Sequence, residues 1–542
     1  MLVLKRLRLI GLHKQFVALA AGSAVLLPLV GAAAYFFVTD NLAVHARLAV
    51  SNPLHVRVLD PIVVRFDQPV DTAHVQVGIY PATAVQLQRE KDRFIIYPTA
   101  QWQAAQRYRL ILSDVPNYNH TIHLRGWTAS FLTQPRVSVA AFRVDGQPVD
   151  RASTPSFRSR LTIEFTAPMQ ADTVNITLDG KTLPSTALAW APGGQTVDVR
   201  TAALKPYQPV KLGVQEGGYS SGGDPITEAD EVSLTPWAVM PSNSGSGITP
   251  GFTAVPPIMI VVENSGPSRP QAGLQQADIV FEYVSEYQIS RMTATYFNTV
   301  PGLVGNVRSC RPINPVLAFP FHSITMCSGA SVGTLSNVFG IREIPGIPVA
   351  MNDFDHGNHF FRTNTRPAPY NVYTAGDRAQ DLRSELNGQV AEPNYFVDPP
   401  HEDVLMGDPT DAPSVPAHSV YYSYDGGSHH YLRFDHGARF VDAGTGGQLQ
   451  VENVVVVHCN IHDPGYVEDE SGGAHSVWYD LDGEGPAEIY SDGRLVHATY
   501  HLGSASVPYY RVDTPMWFSD PAGNPMALNT GLTWIHVVGN GQ

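Results

Sequence analysis

Two stretches 99 residues apart share one pattern: PIVVRFDQPVD (residues 61–71) and RLTIEFTAPMQAD (residues 160–172). Phe66 and Pro69 in the first stand where Phe165 and Pro168 stand in the second. Downstream, DRFIIYPTAQWQAAQRYRLIL (92–112) and QTVDVRTAALKPYQPVKLGV (195–214) match in the same way. In each unit apolar and polar residues alternate between turn residues. Half-buried antiparallel strands read this way because successive side chains point to opposite faces. A unit of about 100 residues with such spacing is the size of a β-sandwich. Two sandwiches are therefore expected, at 41–135 and 136–238.

The F-x-x-P-[VM] signature after a strand resembles the bacterial Ig-like modules of surface proteins, over residues 45–238. That resemblance implies spacing or adhesion, not chemistry. The second module runs into TPWAVMPSNSGSGITPGFTAVPP (235–257), rich in Ser, Gly and Pro and without charge. It reads as a semi-flexible linker over 239–256. At 542 residues the chain is too long for one core, and three or four domains are expected. Its 46 Gly and 43 Pro set many turns between short strands. A formal net charge of −14 argues against a nucleic-acid partner, which needs a basic face.

Lys5, Arg6, Arg8 and Lys14 precede an apolar run over residues 16–38. Its 23 residues, at about 1.5 Å each, reach roughly 35 Å, enough to cross a hydrocarbon core of about 30 Å. The apolar part of a signal peptide is only about 7–15 residues. An uncleaved single-pass anchor is therefore expected, with Ala32-Ala33-Ala34 as an alternative cleavage site. No cysteine lies nearby to take a lipid. Basic residues before the run put residues 1–15 in the cytoplasm and the bulk of the chain outside the membrane.

Beyond the linker the texture changes. PIMIVVEN, ADIVFEYVSEY, RMTATYFN and SITMCSG read as strands, the first ending in a polar pair, while GTLSNVFG and GDRAQDLRSEL read as helices. An α+β domain is expected over 257–400. From 415 to 540 short strands return, with SDGR as a hairpin turn because Asp-Gly supplies the positive φ it needs. A mostly antiparallel β domain is expected there. The fold class is thus β-rich and multidomain: a transmembrane helix, two Ig-like sandwiches, an α+β domain and a β domain.

Three ordered motifs, RPQAGLQQADIVFEYVSEYQISRMTATYF, GNVRSCRP and FFRTNTRPAPYNVYT, with the closing MWFSDPAGNPMALNTGLTWIHVV, resemble the YerB-like envelope proteins (domain of unknown function 3048) over about 255–540. The resemblance implies membrane-anchored proteins or lipoproteins on the outer face of the bacterial cytoplasmic membrane. It implies no particular activity. The family pattern reads R-S-A-R-P and A-P-H-N. Here Cys310 replaces the small residue and Tyr370 the histidine.

The recurring polar residues in these motifs are Arg269, Asp278, Glu282, Arg291, Arg308, Arg311, Arg362 and Asn371. Apolar strands carry such groups inward only when they pair or bind something. Arg308 and Arg311 can grip a carboxylate or phosphate in the planar, two-toothed way that lysine cannot. One reading makes Arg269, Asp278, Glu282, Arg308, Arg311 and Asn371 the lining of a ligand cleft. The other pairs Arg308 or Arg311 with Asp278 or Glu282 to pin strands together.

Three cysteines, Cys310, Cys327 and Cys459, allow one bridge and leave one thiol. Two neighbouring guanidinium groups would favour a Cys310 thiolate, and the layout resembles L,D-transpeptidases. However, neither the glycine nor the histidine of their motif precedes Cys310. Asp353, Asp355, His356 and His359 in DFDHGNHFF, and His458, Cys459, His462 and Asp463 in HCNIHD, are types that ligate Zn²⁺ or Ca²⁺. Neither cluster fits helical H-E-x-x-H spacing. Glu282 and Glu286, four apart on a strand, would stand about 13 Å apart, too far for a typical glycosidase pair. The expectation is an envelope protein that binds an anionic cell-wall polymer or an envelope protein, without cofactor or assigned metal. The alternative is a thiol- or metal-dependent peptidoglycan-processing enzyme.

Overall fold

A computed structural model describes residues 43–541 apart from 74, 125, 150–153, 201–203, 244–246, 249–251, 253, 341–348, 352–355, 398–406, 411–412 and 504–513. The expected tail and anchor, 1–15 and 16–38, lie outside the described residues. Among the described residues no helix is long and apolar enough to cross a membrane.

Each repeat unit is two antiparallel sheets closed over one apolar cluster. In the first, the sheet containing Ile62–Phe66 and Arg93–Pro98 faces the sheet of Gln76–Tyr80, Arg107–Ser113 and Trp127–Leu132. Ile62, Val64, Phe94 and Ile96 from one side meet Tyr108, Leu110, Leu112 and Phe131 from the other. In the second unit Leu161, Ile163 and Phe165 meet Ile176, Leu212 and Val214. The repeated strands Ile62–Phe66 and Leu161–Phe165 both bury alternate residues, which is the alternation seen in the sequence.

Residues 239–256 are not a free tether. Val239–Met240 pairs in parallel with Phe396–Val397, and Met240, Ile248 and Ala254 are buried in the core of the C-terminal half. Ser, Gly and Pro dominate the composition there, but a few spaced apolar side chains decide the packing.

The stretches 257–400 and 415–540 share one sheet. Its central order runs Ile324–Cys327, Ile258–Glu263, Ser290–Tyr296, Ile279–Val284, Thr533–Gly539, Asn453–His462, Gly483–Ser491, Arg494–Leu502. The closing strand Thr533–Gly539 lies between Ile279–Val284 and Asn453–His462, parallel to both. Both faces of the sheet are covered by large apolar clusters that draw on each stretch. For this reason Ser290–Tyr296 and Thr533–Gly539 are buried at every position instead of alternating. The Asp492-Gly493 turn closes the hairpin of Gly483–Ser491 and Arg494–Leu502, with φ of 49° and 68°.

Candidate functional site

The three motifs of the N-terminal stretch meet around one loop. Ile258–Glu263 runs into Asn264 and the turn that leads to Gln271. NVRSCRP lies against the end of that strand, with Glu263 N donating to Asn306 O (3.0 Å) and Arg308 N to Val261 O (2.9 Å). Arg366 of the third motif donates to Pro267 O (3.0 Å) and Pro270 O (2.8 Å). Gly305 makes this approach possible: its φ is 154°, and a Cβ there would lie 2.7 Å from the Tyr373 ring and 2.9 Å from Val372 O.

The charged side chains form two internal networks. In the first, Arg308 Nε donates to Glu263 Oε2 (2.7 Å), and Arg291 Nη2 lies 3.3 Å from both Glu263 Oε2 and Glu286 Oε1. Arg311 grips Glu286 with two bonds (2.7 and 2.5 Å) and donates to Cys310 O (2.9 Å). Glu468 Oε1 stands 3.2 Å from Arg311 Nη1, a charge contact without hydrogen-bond alignment. Three arginines thus balance three glutamates. Burial alone would push the Glu263 and Glu286 carboxyls up, but the guanidinium groups more than offset it and hold both below the usual carboxylate range.

The second network is enclosed except at Arg269. Arg433 donates to both oxygens of Glu282 (2.8 and 3.2 Å) and to Asp435 (3.2 Å), its Cζ 4.2 Å from the Trp534 ring centre and 4.6 Å from that of Phe440. Trp534 Nε1 also donates to Glu282 (2.8 Å), and Arg269 pairs with Asp435 (2.8 Å). Arg433 Nη1 donates to the Tyr422 hydroxyl (3.0 Å), which lies 2.8 Å from His536 Nε2. The hydroxyl and the two imidazoles form a buried chain, with His536 Nδ1 2.7 Å from His418 Nδ1. The His536 ring is neutral, in keeping with burial holding it well below its ordinary range. Asn264 joins the networks: its backbone N donates to Glu263, while its side chain donates to Glu282 and Asp435.

The expected cleft residues therefore divide. Arg308 and Arg311 pair with Glu263 and Glu286, not with Asp278 or Glu282. Asp278 accepts from Asn243 N and Phe297 N (2.8 Å each) and so ties residues 239–256 to the sheet. Glu282 and Arg269 belong to the second network. Asn371 accepts from Arg362 (2.9 Å) within the hairpin of Phe361–Arg362 and Val372–Thr374. Arg269 and Arg308 keep 25% and 27% of their side chains exposed, against 2% for Arg291 and 0% for Arg433.

The thiol reading is corrected. Cys310 is bonded to Cys327 and fully buried, so it offers no nucleophile. Burial pushes the Cys459 thiol up to about 12. The two departures from the family pattern have structural uses: Cys310 staples NVRSCRP to the strand Ile324–Cys327, and the Tyr370 ring lies 5.7 Å from the Arg308 guanidinium. Asp353 and Asp355 lie outside the described residues. In HCNIHD, His462 faces Asp480 (3.6 Å) and Asp463 faces His475 (2.6 Å), so that cluster does not converge.

Sequence reasoning passed over Arg433 and Asp435, which alternate with Tyr431 on the buried face of His430–Asp435. Two opposite charges at inward positions of one strand were the signal available.

The model described as "Protein of unknown function (DUF3048) N-terminal domain" matches residues 245–389, and its "C-terminal domain" counterpart matches 412–535. The Bacillus subtilis (strain 168) protein named "Putative lipoprotein YerB" is 28% identical over 292 residues, covering 52% of this chain and 81% of its own. The crystal structure of YerB from Bacillus subtilis aligns over 55% of this chain and 96% of its own, at 24% identity and a TM-score of 0.43. L,D-transpeptidase 3 from Mycobacterium tuberculosis aligns over 23% of this chain and 45% of its own, at 19% identity and a TM-score of 0.14, too slight a likeness to bear on mechanism.

Proposed function

The chain belongs to the DUF3048 family, carrying both of its domains, and from that premise we propose that it is a membrane-associated protein of the bacterial envelope that binds an anionic cell-wall polymer outside the cytoplasm. The name of its Bacillus subtilis relative supports the compartment. The apolar run 16–38 is the proposed anchor, with residues 1–15 in the cytoplasm. The two sandwiches, read as Ig-like modules, would carry the DUF3048 unit away from the membrane.

One observation supports the binding role above the others. Around the loop 264–271, Arg269 and Arg308 keep about a quarter of their side-chain surface in solvent, 25% and 27%, beside Arg366 and Tyr370. Their carboxylate partners, Asp435 and Glu263, are buried. An incoming carboxylate or phosphate would find planar donors held in place from behind. Arg311, through Glu286 and Arg291, and Glu282, through Arg433 and Asp435, stand behind these donors, while Asp278 and Asn371 are engaged elsewhere, with Asn243, Phe297 and Arg362.

Cosedimentation of the full-length chain with purified cell-wall sacculi tests the reading. Binding that weakens as salt rises is expected, because partly exposed charges are screened. No binding to sacculi, with capture of an envelope protein instead, would replace the polymer by a protein partner.

A further inference from the structure

We propose that His356, His359 and Glu385 form a binding site for a divalent metal ion of the zinc type, apart from the arginine networks. His356 Nδ1 lies 2.9 Å from Glu385 Oε1, and His359 Nε2 lies 2.8 Å from Glu385 Oε2. The three ligand atoms all fall within 4.8 Å of one another.

The hydrogen bonding of His359 is the central observation. Its Nδ1 faces the carbonyl oxygen of Arg378 at 2.9 Å. A carbonyl only accepts, so Nδ1 carries the hydrogen. The Nε2 of a neutral ring is then a lone pair, and it is aimed at a carboxylate oxygen 2.8 Å away. Two acceptors at that distance repel unless a positive charge stands between them. A metal ion or a second ring proton would supply it. Asn358 Nδ2 also reaches His359 Nε2, at 3.3 Å, and a ring held by a carbonyl behind is the usual orientation of a metal-ligating histidine.

The frame around the three residues is rigid. Arg378 donates to Asn358 O (2.8 Å) and Phe360 O (2.7 Å), and Thr374 Oγ1 donates to His359 O (2.9 Å). These bonds clamp the turn that carries both histidines onto the helix Gly376–Glu385 that carries the glutamate. His356 is held in the left-handed region, φ 61° and ψ 29°, a conformation a non-glycine residue adopts at some cost. Glu385 ends its helix, where the macrodipole is negative and a carboxylate is unfavourable without a cation.

Two imidazoles and one carboxylate are a donor set that suits zinc. Tetrahedral zinc, with bonds of about 2.0–2.2 Å, would set ligand atoms about 3.3 Å apart. The two imidazole–carboxylate separations, 2.9 and 2.8 Å, would open by about half an ångström, and the others, none above 4.8 Å, would settle towards the same value. His359 is buried while His356 and Glu385 reach solvent, which leaves the fourth position to water. The other close group among the described residues, Glu282, His418 and His536, is unsuited: it is fully buried, and Arg433 and Trp534 already occupy the Glu282 oxygens.

Calorimetric titration of the chelator-treated full-length chain with Zn²⁺ tests the assignment, alongside His356→Asn and Glu385→Gln. Both substitutions fall on partly exposed side chains, so the fold should survive them, and a melting curve without metal checks this. One ion per wild-type chain is expected, with a rise in melting temperature on adding Zn²⁺. Each variant should lose affinity by more than the about 10–100-fold typical of losing an outer partner. No stoichiometric binding by the wild type means that a proton, not a metal, joins His359 to Glu385, and overturns the proposal. Binding that persists in both variants overturns it too.

Discussion

Arg308 and Glu263 are joined by a single hydrogen bond of 2.7 Å between an arginine whose side chain is a quarter exposed and a glutamate whose side chain is only 3% exposed. Glu263 has other support: Arg291 at 3.3 Å and the backbone N–H groups of Asn264 and Ser265. Arg308→Ala should therefore cost only about 1 kcal/mol, since a partly solvated pair contributes little and its buried partner stays compensated. Arg433→Ala should cost about 3–5 kcal/mol, because it takes the two-bond partner from a fully buried Glu282. Denaturant unfolding of both variants checks the contrast. Equal losses would mean that the two networks are not the separate clasps described above.

Stability should decline in two stages as pH falls. His418 and His536 are held below their ordinary 6.5 by burial. The unfolded chain takes up those protons first, so their share is lost as pH drops below about 6.5. Glu263, Glu282 and Glu286 are held below their ordinary 4.5 by guanidinium groups. Their share is complete above 4.5 and is lost below it, as pH approaches the lower folded values. Melting temperatures measured from about pH 8 to pH 3 should be level at first, fall gently below 6.5 and fall steeply below 4.5. A level curve down to pH 5 would contradict the neutral His418–His536 pair.

The thiols give a third test. With Cys310 bonded to Cys327, and with Cys459 buried and its thiol pushed up to about 12, no cysteine should react quickly in the native chain. Unfolding without reductant should release one thiol, and three would contradict the bond. Removing the bridge, which joins residues 17 apart, should cost about 3 kcal/mol on the chain-entropy account.

Local periodicity made the two sandwiches legible, because each closes its core within about 100 residues and leaves one face of most strands wet. It failed where the sheet becomes two-sided. Ile279–Val284 and Thr533–Gly539 are neighbours across some 250 residues, and no spacing in the sequence announces a parallel pairing at that range. The candidate site was half visible for the same reason. Arg269, Glu282, Arg308 and Arg311 stood out as charges in apolar surroundings. Their partners Asp435, Arg433, Glu263 and Glu468 come from distant strands that register alone brings close. The linker was misread because composition says how polar a stretch is, not whether Met240 and Ile248 find a core.

Binding and melting of Arg269→Ala/Arg308→Ala, measured against the wild type, test the central claim most directly. If these two guanidinium groups form the binding rim, the doubly substituted chain should melt within a few degrees of the wild type and no longer cosediment with sacculi, since an anion loses its planar donors while the buried clasps persist. Undiminished cosedimentation with an unchanged melting temperature would place binding elsewhere on the molecule. Collapse of the melting temperature would show that Arg269 and Arg308 serve the fold and not a ligand.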